Sequence, residues 1–215
     1  MNKNWINTKS FLPAYSLLTV LLIAQCGGGE KPASQNGPAP AAEEEMTVIP
    51  GDNYFAVRSS AGTYEVFVEG NDLALEGPNL SWLGEEKGDK RKFYDASGNV
   101  ALEIKYSDDD KFKLRNADGT LRWKVKVYDD KVKVADNEEM ENAYEIRLYE
   151  GGRIKLKRDE EELAEWRVSS QAAAELTREG LTVTGLNQGF ARGAFLIEAL
   201  TPQEQLVLAA ELFVR

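Results

Sequence analysis

Side chains able to do covalent or metal chemistry are sparse in this sequence. It contains no histidine and a single cysteine, Cys26. The first absence removes an imidazole base, a His metal ligand and a Ser-His-Asp triad. A lone cysteine provides neither an intrachain disulfide nor a Cys-based zinc site. Carboxylates are plentiful, and two acidic stretches are the places to look for calcium: Asp108-Asp109-Asp110, and the run from Asp136 to Asn142. Neither has the alternating D-x-D/N-x-D/N-G spacing of a calcium loop, so both read as solvated hairpin tips. Glu160-Glu161-Glu162 reads as a charge run at a turn. Ser169-Ser170 sits in neither a G-x-S-x-G nor an S-x-x-K motif, and Gly27–Gly29 follows no strand that would make it a phosphate loop. Trp82, Trp123 and Trp166 would suit a ligand site, but Trp123 and Trp166 share the apolar side of their segments and read as core. No catalytic residue, metal site or cofactor is expected.

The one cysteine has a context that gives it a role. Residues 1–10 are polar and carry Lys3 and Lys9, and residues 11–24 (FLPAYSLLTVLLIA) form a short apolar run. That is the layout of a secretory signal, and the run is shorter than the ~20 residues of a spanning helix. Leu22-Ile23-Ala24-Gln25-Cys26 resembles the lipobox of bacterial lipoproteins, with Gln25 where Gly, Ala or Ser is usual. The resemblance implies cleavage before Cys26 and lipidation of that residue. More than one acyl chain is what stable anchoring needs. Gly27 stands where enterobacterial inner-membrane lipoproteins carry Asp, so the resemblance implies the outer membrane. Residues 26–45 then form the lipidated cysteine and a Gly-, Pro-, Ala- and Glu-rich tether with too little apolar surface to order itself.

Charge bears on partners. The chain has 26 basic and 36 acidic residues, a net charge of -10. Removal of residues 1–25, whose only charges are Lys3 and Lys9, leaves -12. Along the sequence the basic residues interleave with acids and form no cluster. Nucleic acid, which needs clustered Lys and Arg, is therefore not expected. The reading is of a monomer attached to a membrane through Cys26, with a protein partner possible.

The body, residues 46–215, is read as mainly β. Val100, Leu102, Ile104 and Tyr106 alternate with polar residues, as do Leu121, Trp123, Val125 and Val127 against Arg122, Lys124 and Lys126. Tyr144, Ile146 and Leu148 follow, then Ile154 and Leu156, then Leu163 and Trp166. One apolar and one charged face is the pattern of an antiparallel sheet wet on one side. Turns at Asp95–Gly98 and Asn116–Gly119 lie 21 residues apart, so hairpins repeat at that spacing. About a dozen strands are expected, in a sheet that closes or nearly closes on itself to remove its edges.

The C-terminal region, 170–215, is expected to be helical and packed into the sheet. Residues 171–179 (QAAAELTRE) read as a helix ending at Gly180. Residues 186–199 are apolar and small. Thr201-Pro202-Gln203-Glu204 is a capping box with proline at the first helical position. The helix after it is apolar around nearly its whole circumference, which argues for burial. A closed sheet of about twelve strands around such a helix resembles the tubby-like fold of tubby, LURP-one-related proteins and phospholipid scramblases. The hairpins at Tyr94–Asn99 and Arg115–Gly119, and the apolar Gly193–Ile197, carry that resemblance. It contributes no functional residue, because the basic phosphoinositide-binding residues of tubby domains have no counterpart in the sequence. The expected function is a non-enzymatic binding or structural module of the cell envelope. The alternative is a lipocalin-like carrier of a small apolar ligand, which would require the C-terminal helix to leave a cavity.

Overall fold

The computed structural model describes residues 53–167, 175–178, 180–186 and 189–215. The signal segment, Cys26, the tether and Ser169-Ser170 lie outside those residues. The chain divides into two units between Glu45 and Met46, and everything below belongs to the second.

The second unit is one antiparallel sheet and a short helical C-terminus. Strands run β1 (Tyr54–Ser59), β2 (Gly62–Glu69), β3 (Asp72–Gly77), β4 (Leu80–Lys87), β5 (Lys90–Tyr94), β6 (Val100–Asp108) and β7 (Lys111–Asn116). They continue as β8 (Leu121–Val127), β9 (Lys131–Ala135), β10 (Tyr144–Tyr149), β11 (Arg153–Arg158), β12 (Glu161–Trp166), β13 (Glu175–Arg178) and β14 (Leu181–Thr184). The 14 strands form a single sheet in which β1 to β12 pair in sequence, and the β13–β14 hairpin joins at β1. Among the described residues β12 and β13 are the two ends, and no pairing joins them. The mainly β architecture is as expected; closure of the sheet is not part of it.

Two turns show why the hairpins repeat. In the first, Asp95 accepts at its backbone oxygen from Gly98 N (2.8 Å), and its side chain accepts from Ser97 N and Asn99 N (2.9 Å each). In the second, Asn116 O accepts from Gly119 N (2.9 Å), and Asp118 accepts from Thr120 N (2.9 Å). Gly98 and Gly119 occupy φ of 80° and 86°, the left-handed conformation that costs a side-chain-bearing residue about 1–2 kcal/mol.

One face of the sheet is the core. Rows across the strands, such as Ile104–Leu114–Trp123 and Val127–Val132–Ile146–Leu156, place apolar side chains opposite one another. Val132, Ile104 and Leu114 are completely buried, and Trp123 and Trp166 are buried with them. Against this face packs a 3-10 segment, Phe190–Leu196, followed by helix α1, Pro202–Phe213. The capping box forms as read: Thr201 Oγ1 accepts from Glu204 N (3.3 Å), and Glu204 Oε2 accepts from Thr201 N (2.8 Å).

The sheet must curve to reach this helix. Fourteen strands laid flat would span on the order of 60 Å, whereas a 12-residue helix is about 18 Å long. Yet α1 and the segment before it touch strands far apart in the order. Phe213 stacks edge-on against Phe55 of β1 at 5.5 Å. Glu211 bonds β5 and β6. Glu204 accepts from Arg122 Nε of β8 at 2.8 Å. Gly193 lies so close to Ile146 of β10 that a Cβ there would sit 2.2 Å from its Cγ2.

Three expectations need correction. Glu175–Arg178, expected in a helix, is strand β13, paired in register with β14 from Glu175–Thr184 to Arg178–Leu181. Pairing outweighs the helix propensity of Ala, Glu and Leu, which is a weak local preference. Residues 171–174 and 179 of that stretch lie outside the described residues. Leu163, expected inward, is 46% exposed. A bulge in the β11–β12 pairing skips it, and Ala164 takes the inward place opposite Leu156. Leu148 shares the inward row with Ile154 and Trp166 but lies at a strand end and stays 40% exposed.

Candidate functional site

A concavity of about 590 Å³ opens at the C-terminal end of α1 between the β2–β3, β4–β5 and β6–β7 turns. Its floor is a charged cluster of side chains out of solvent. Arg91 sits on the inward side of β5, in the row with Ile104, where alternation alone would place an apolar residue. Its guanidinium donates through Nη1 to Glu211 of α1, and through Nη2 to Glu86 Oε2 (2.6 Å) and Asn71 O (2.8 Å). Tyr106 of β6 donates its hydroxyl to Glu211 Oε2 at 2.9 Å. Arg215 stacks over the Tyr106 and Phe112 rings, 4.7 and 5.2 Å from their centroids.

Burial dominates the electrostatics. It pushes the Glu211 carboxyl above its ordinary range, against the pull of Arg91 and Tyr106. It also raises the Tyr106 phenol, with the Glu211 charge adding to the effect. Perturbed groups in a cleft mark catalytic sites and buried ion-pair networks alike. The geometry decides between them. Both Glu211 oxygens are taken, one by Arg91 and one by Tyr106, and the phenol proton is held on its oxygen. The cleft is also lined by Ser107 and by the carboxylates of Glu86, Asp89, Asp108 and Asp109. The cluster fastens the last turn of α1 to β5 and β6. Its one loose end is Arg91 Nε, buried without a partner.

The residues singled out in the sequence fall as follows. Trp123 and Trp166 are core, and Trp82 is half-buried against it at 6.3 Å from Phe93. Asp108 and Asp110 are a hairpin tip in which both pair with Lys111, at 2.9 and 3.6 Å. In the stretch from Asp136, Asn137 organises the loop by accepting from Glu141 N and donating to Glu141 O (2.9 Å each). Among the described residues no group of three or more His, Cys, Asp or Glu is arranged to hold a metal ion. Asp159 and Glu160 both take positive φ, 49° and 66°, forming the β11–β12 turn.

Sequence reasoning missed the outer face of the sheet. Interleaved along the chain, the basic residues become neighbours across it. Lys90, Lys105, Lys113 and Lys124 stand directly opposite one another on β5 to β8. Lys111, Lys126 and Lys133 make a second row on β7 to β9, two residues along the strands. Glu103 serves both Lys90 and Lys92, and Glu138 both Lys113 and Lys124. Glu145 serves Lys131, Lys133 and Arg147. Three carboxylates thus answer seven cations. The signal was there in the K-x-K pattern of Lys111-Phe112-Lys113, Lys124-Val125-Lys126 and Lys131-Val132-Lys133, but only the register brings those pairs side by side. The finding corrects the expectation that the basic residues form no cluster.

No known protein family, curated protein or solved structure matches this chain.

Proposed function

We propose that the protein is a bacterial lipoprotein, held at the outer membrane by acyl chains on Cys26, whose β-body is a non-catalytic binding or structural module of the envelope. The observation that carries the reading is the position of the sole cysteine. It directly follows Leu22-Ile23-Ala24-Gln25 at the end of a short apolar run and precedes a Gly- and Pro-rich stretch. In this reading the sheet closes further around α1 in the manner of the tubby-like fold. Among the described residues no helix is long and apolar enough to cross a membrane.

The body's interior favours a binding module over a carrier of small apolar ligands. A carrier keeps an apolar cavity, whereas here the apolar side of the sheet is filled by α1 and the 3-10 segment. The cleft at the end of α1 is lined by Glu86, Arg91, Asp108 and Glu211 rather than mainly by hydrocarbon. What is offered to a partner is the outer surface.

Metabolic labelling with radioactive palmitate in a bacterial host tests the anchor. Wild-type protein should carry label and sediment with outer-membrane vesicles, and Cys26→Ser should be unlabelled and soluble. Equal labelling of the two would overturn the assignment.

A further inference from the structure

We propose that the lysine rows on the outer face of β5 to β9 form a binding belt for a linear acidic polysaccharide, a chain of carboxylate-bearing sugars. Like charges placed directly opposite across a sheet destabilise it. Here five lysines in one row, with Lys87 of β4 opposite Lys90, and three in the next do so. Glutamates at half of these positions would have turned repulsion into attraction at no cost to the core, because the face is solvated. The charge is absorbed only in part: Lys90, Lys111, Lys113, Lys124 and Lys133 each reach a carboxylate. Lys105 and Lys126 stand inside the rows, and Lys157 lies opposite Glu145 on β11. Among the described residues none of the three has a carboxylate within ion-pair reach, while Glu145 is already engaged by Lys133 and Arg147. Water hydrates these ammonium groups, and an external anion would supply the counter-charge that the protein does not.

The surroundings select the shape of that anion. Alternate hairpin turns point to opposite ends of the strands, and both ends are acidic. Asp108 to Asp110 and Asp129-Asp130 lie at one end, and Asp95, Asp118 and Asp159-Glu160 at the other. The cations therefore form a strip crossing the strands, with a negative margin on each side. Its repeat is one strand spacing, about 4.8 Å, and its two rows lie about 7 Å apart. A planar anionic bilayer laid on this face would meet the acidic margins. A thin chain lying across the strands would not.

The chemistry of the strip distinguishes among linear polyanions. Single-stranded nucleic acid is held by aromatic rings on which bases stack, interleaved with the positive groove. The rows themselves hold no ring, because Phe112, Trp123 and Tyr106 point to the core face. The rows are lysine throughout rather than arginine, whose planar fork suits bidentate phosphate. Point charges at a regular repeat fit carboxylates carried at intervals along a sugar chain. Lipid anchoring enters this proposal only in saying where such a chain would be met, and the test below uses no membrane, so the two readings fail separately.

The experiment is a binding titration of the full-length chain in detergent against immobilised polygalacturonate, across a range of salt. Wild type should bind at low salt and weaken steadily as salt rises, since screening acts on exposed charges. The triple variant Lys105→Glu, Lys126→Glu, Lys157→Glu should bind at least about tenfold more weakly, a difference well above that of nonspecific charge change. A control triple away from the rows, Arg58→Glu, Arg153→Glu, Arg167→Glu, alters net charge equally and should stay within about twofold of wild type. Lys157→Glu would face Glu145 and Glu162, so folding is checked on the double variant Lys105→Glu, Lys126→Glu, in which relief of repulsion should leave the melting temperature at or above wild type while binding is still weakened. The neutral Lys→Gln triple should fall between. Equal losses in the two charge-reversal triples, or no wild-type binding, would overturn the proposal. So would tighter binding of single-stranded DNA, polyphosphate or phosphatidylglycerol vesicles than of polygalacturonate.

Discussion

Glu211 is the residue on which burial and charge meet most directly. It is fully buried in α1, and its two oxygens hold Arg91 and Tyr106. Removing one member of such a pair strands the other charge in a low-dielectric interior, at a cost of about 3–5 kcal/mol, while replacing both by apolar side chains costs far less. Urea unfolding should accordingly find Glu211→Ala severely destabilised, and Arg91→Met with Glu211→Leu much nearer wild type than the two single changes predict in sum. Additive losses would mean that the two do not act as a unit. A second residue makes a statement about pH. Burial would raise the Glu145 carboxyl, but Lys133 and Arg147 outweigh it and hold it down, from an ordinary 4.5 to about 2. A carboxyl depressed on folding stabilises fully above its unfolded value, and that contribution is lost as pH falls from 4.5 towards 2. Glu145→Gln should therefore flatten the acid limb of the stability curve in that window and leave its slope near neutrality unchanged. None of this was legible in the sequence. Arg91 and Glu211 are 120 positions apart, and Arg91 stands in an alternating strand where its parity alone does not reveal a buried guanidinium.

At the scale of elements, local chemistry was the legible part. The start of α1 could be read from Thr201, Pro202 and Glu204, because a cap is made by residues three apart and needs no tertiary partner. The turns at Asp95–Gly98 and Asn116–Gly119 were legible for the same reason. Their energetic weight can be measured. Gly119→Ala should cost about 1–2 kcal/mol through backbone strain at φ 86°, with no side-chain clash, since nothing lies within 4 Å of the added Cβ. Thr201→Ala should cost about 1 kcal/mol by freeing the cap. A Gly119→Ala protein as stable as wild type in thermal unfolding would mean that the turn relaxes to another type. The illegible elements depend on distant pairing. Strand β13 is built from helix-forming residues and exists through its ladder with β14. The exposure of Leu163 follows from a single extra residue in β12, and Arg122, expected to point outward with Lys124, reaches Glu204 from a comparable skip between β7 and β8. A one-residue insertion inverts the faces of whatever follows it, and alternation read along the chain does not locate it.

At the scale of the whole molecule, the sheet bends around a helix no longer than about 18 Å, and this sets which surface remains for other molecules. The apolar side is consumed by α1 and the 3-10 segment, so the outer side, with its lysine rows and acidic margins, is the part that meets the surroundings. A chain with net charge -10 can therefore present a positive strip, which a sum over residues conceals. The expected mainly β class with a buried C-terminal helix followed from alternation and capping alone; the course of the sheet and the lysine rows needed the register. The proposed anchor rests on one residue, Cys26, and intact-mass analysis of protein extracted from membranes, wild type beside Cys26→Ala, tests it most directly. A chain beginning at Cys26 and carrying the mass of added acyl groups, absent from the variant, is the expected result. An unacylated wild-type chain cut at another position would contradict the anchor, the mature start and the envelope role together.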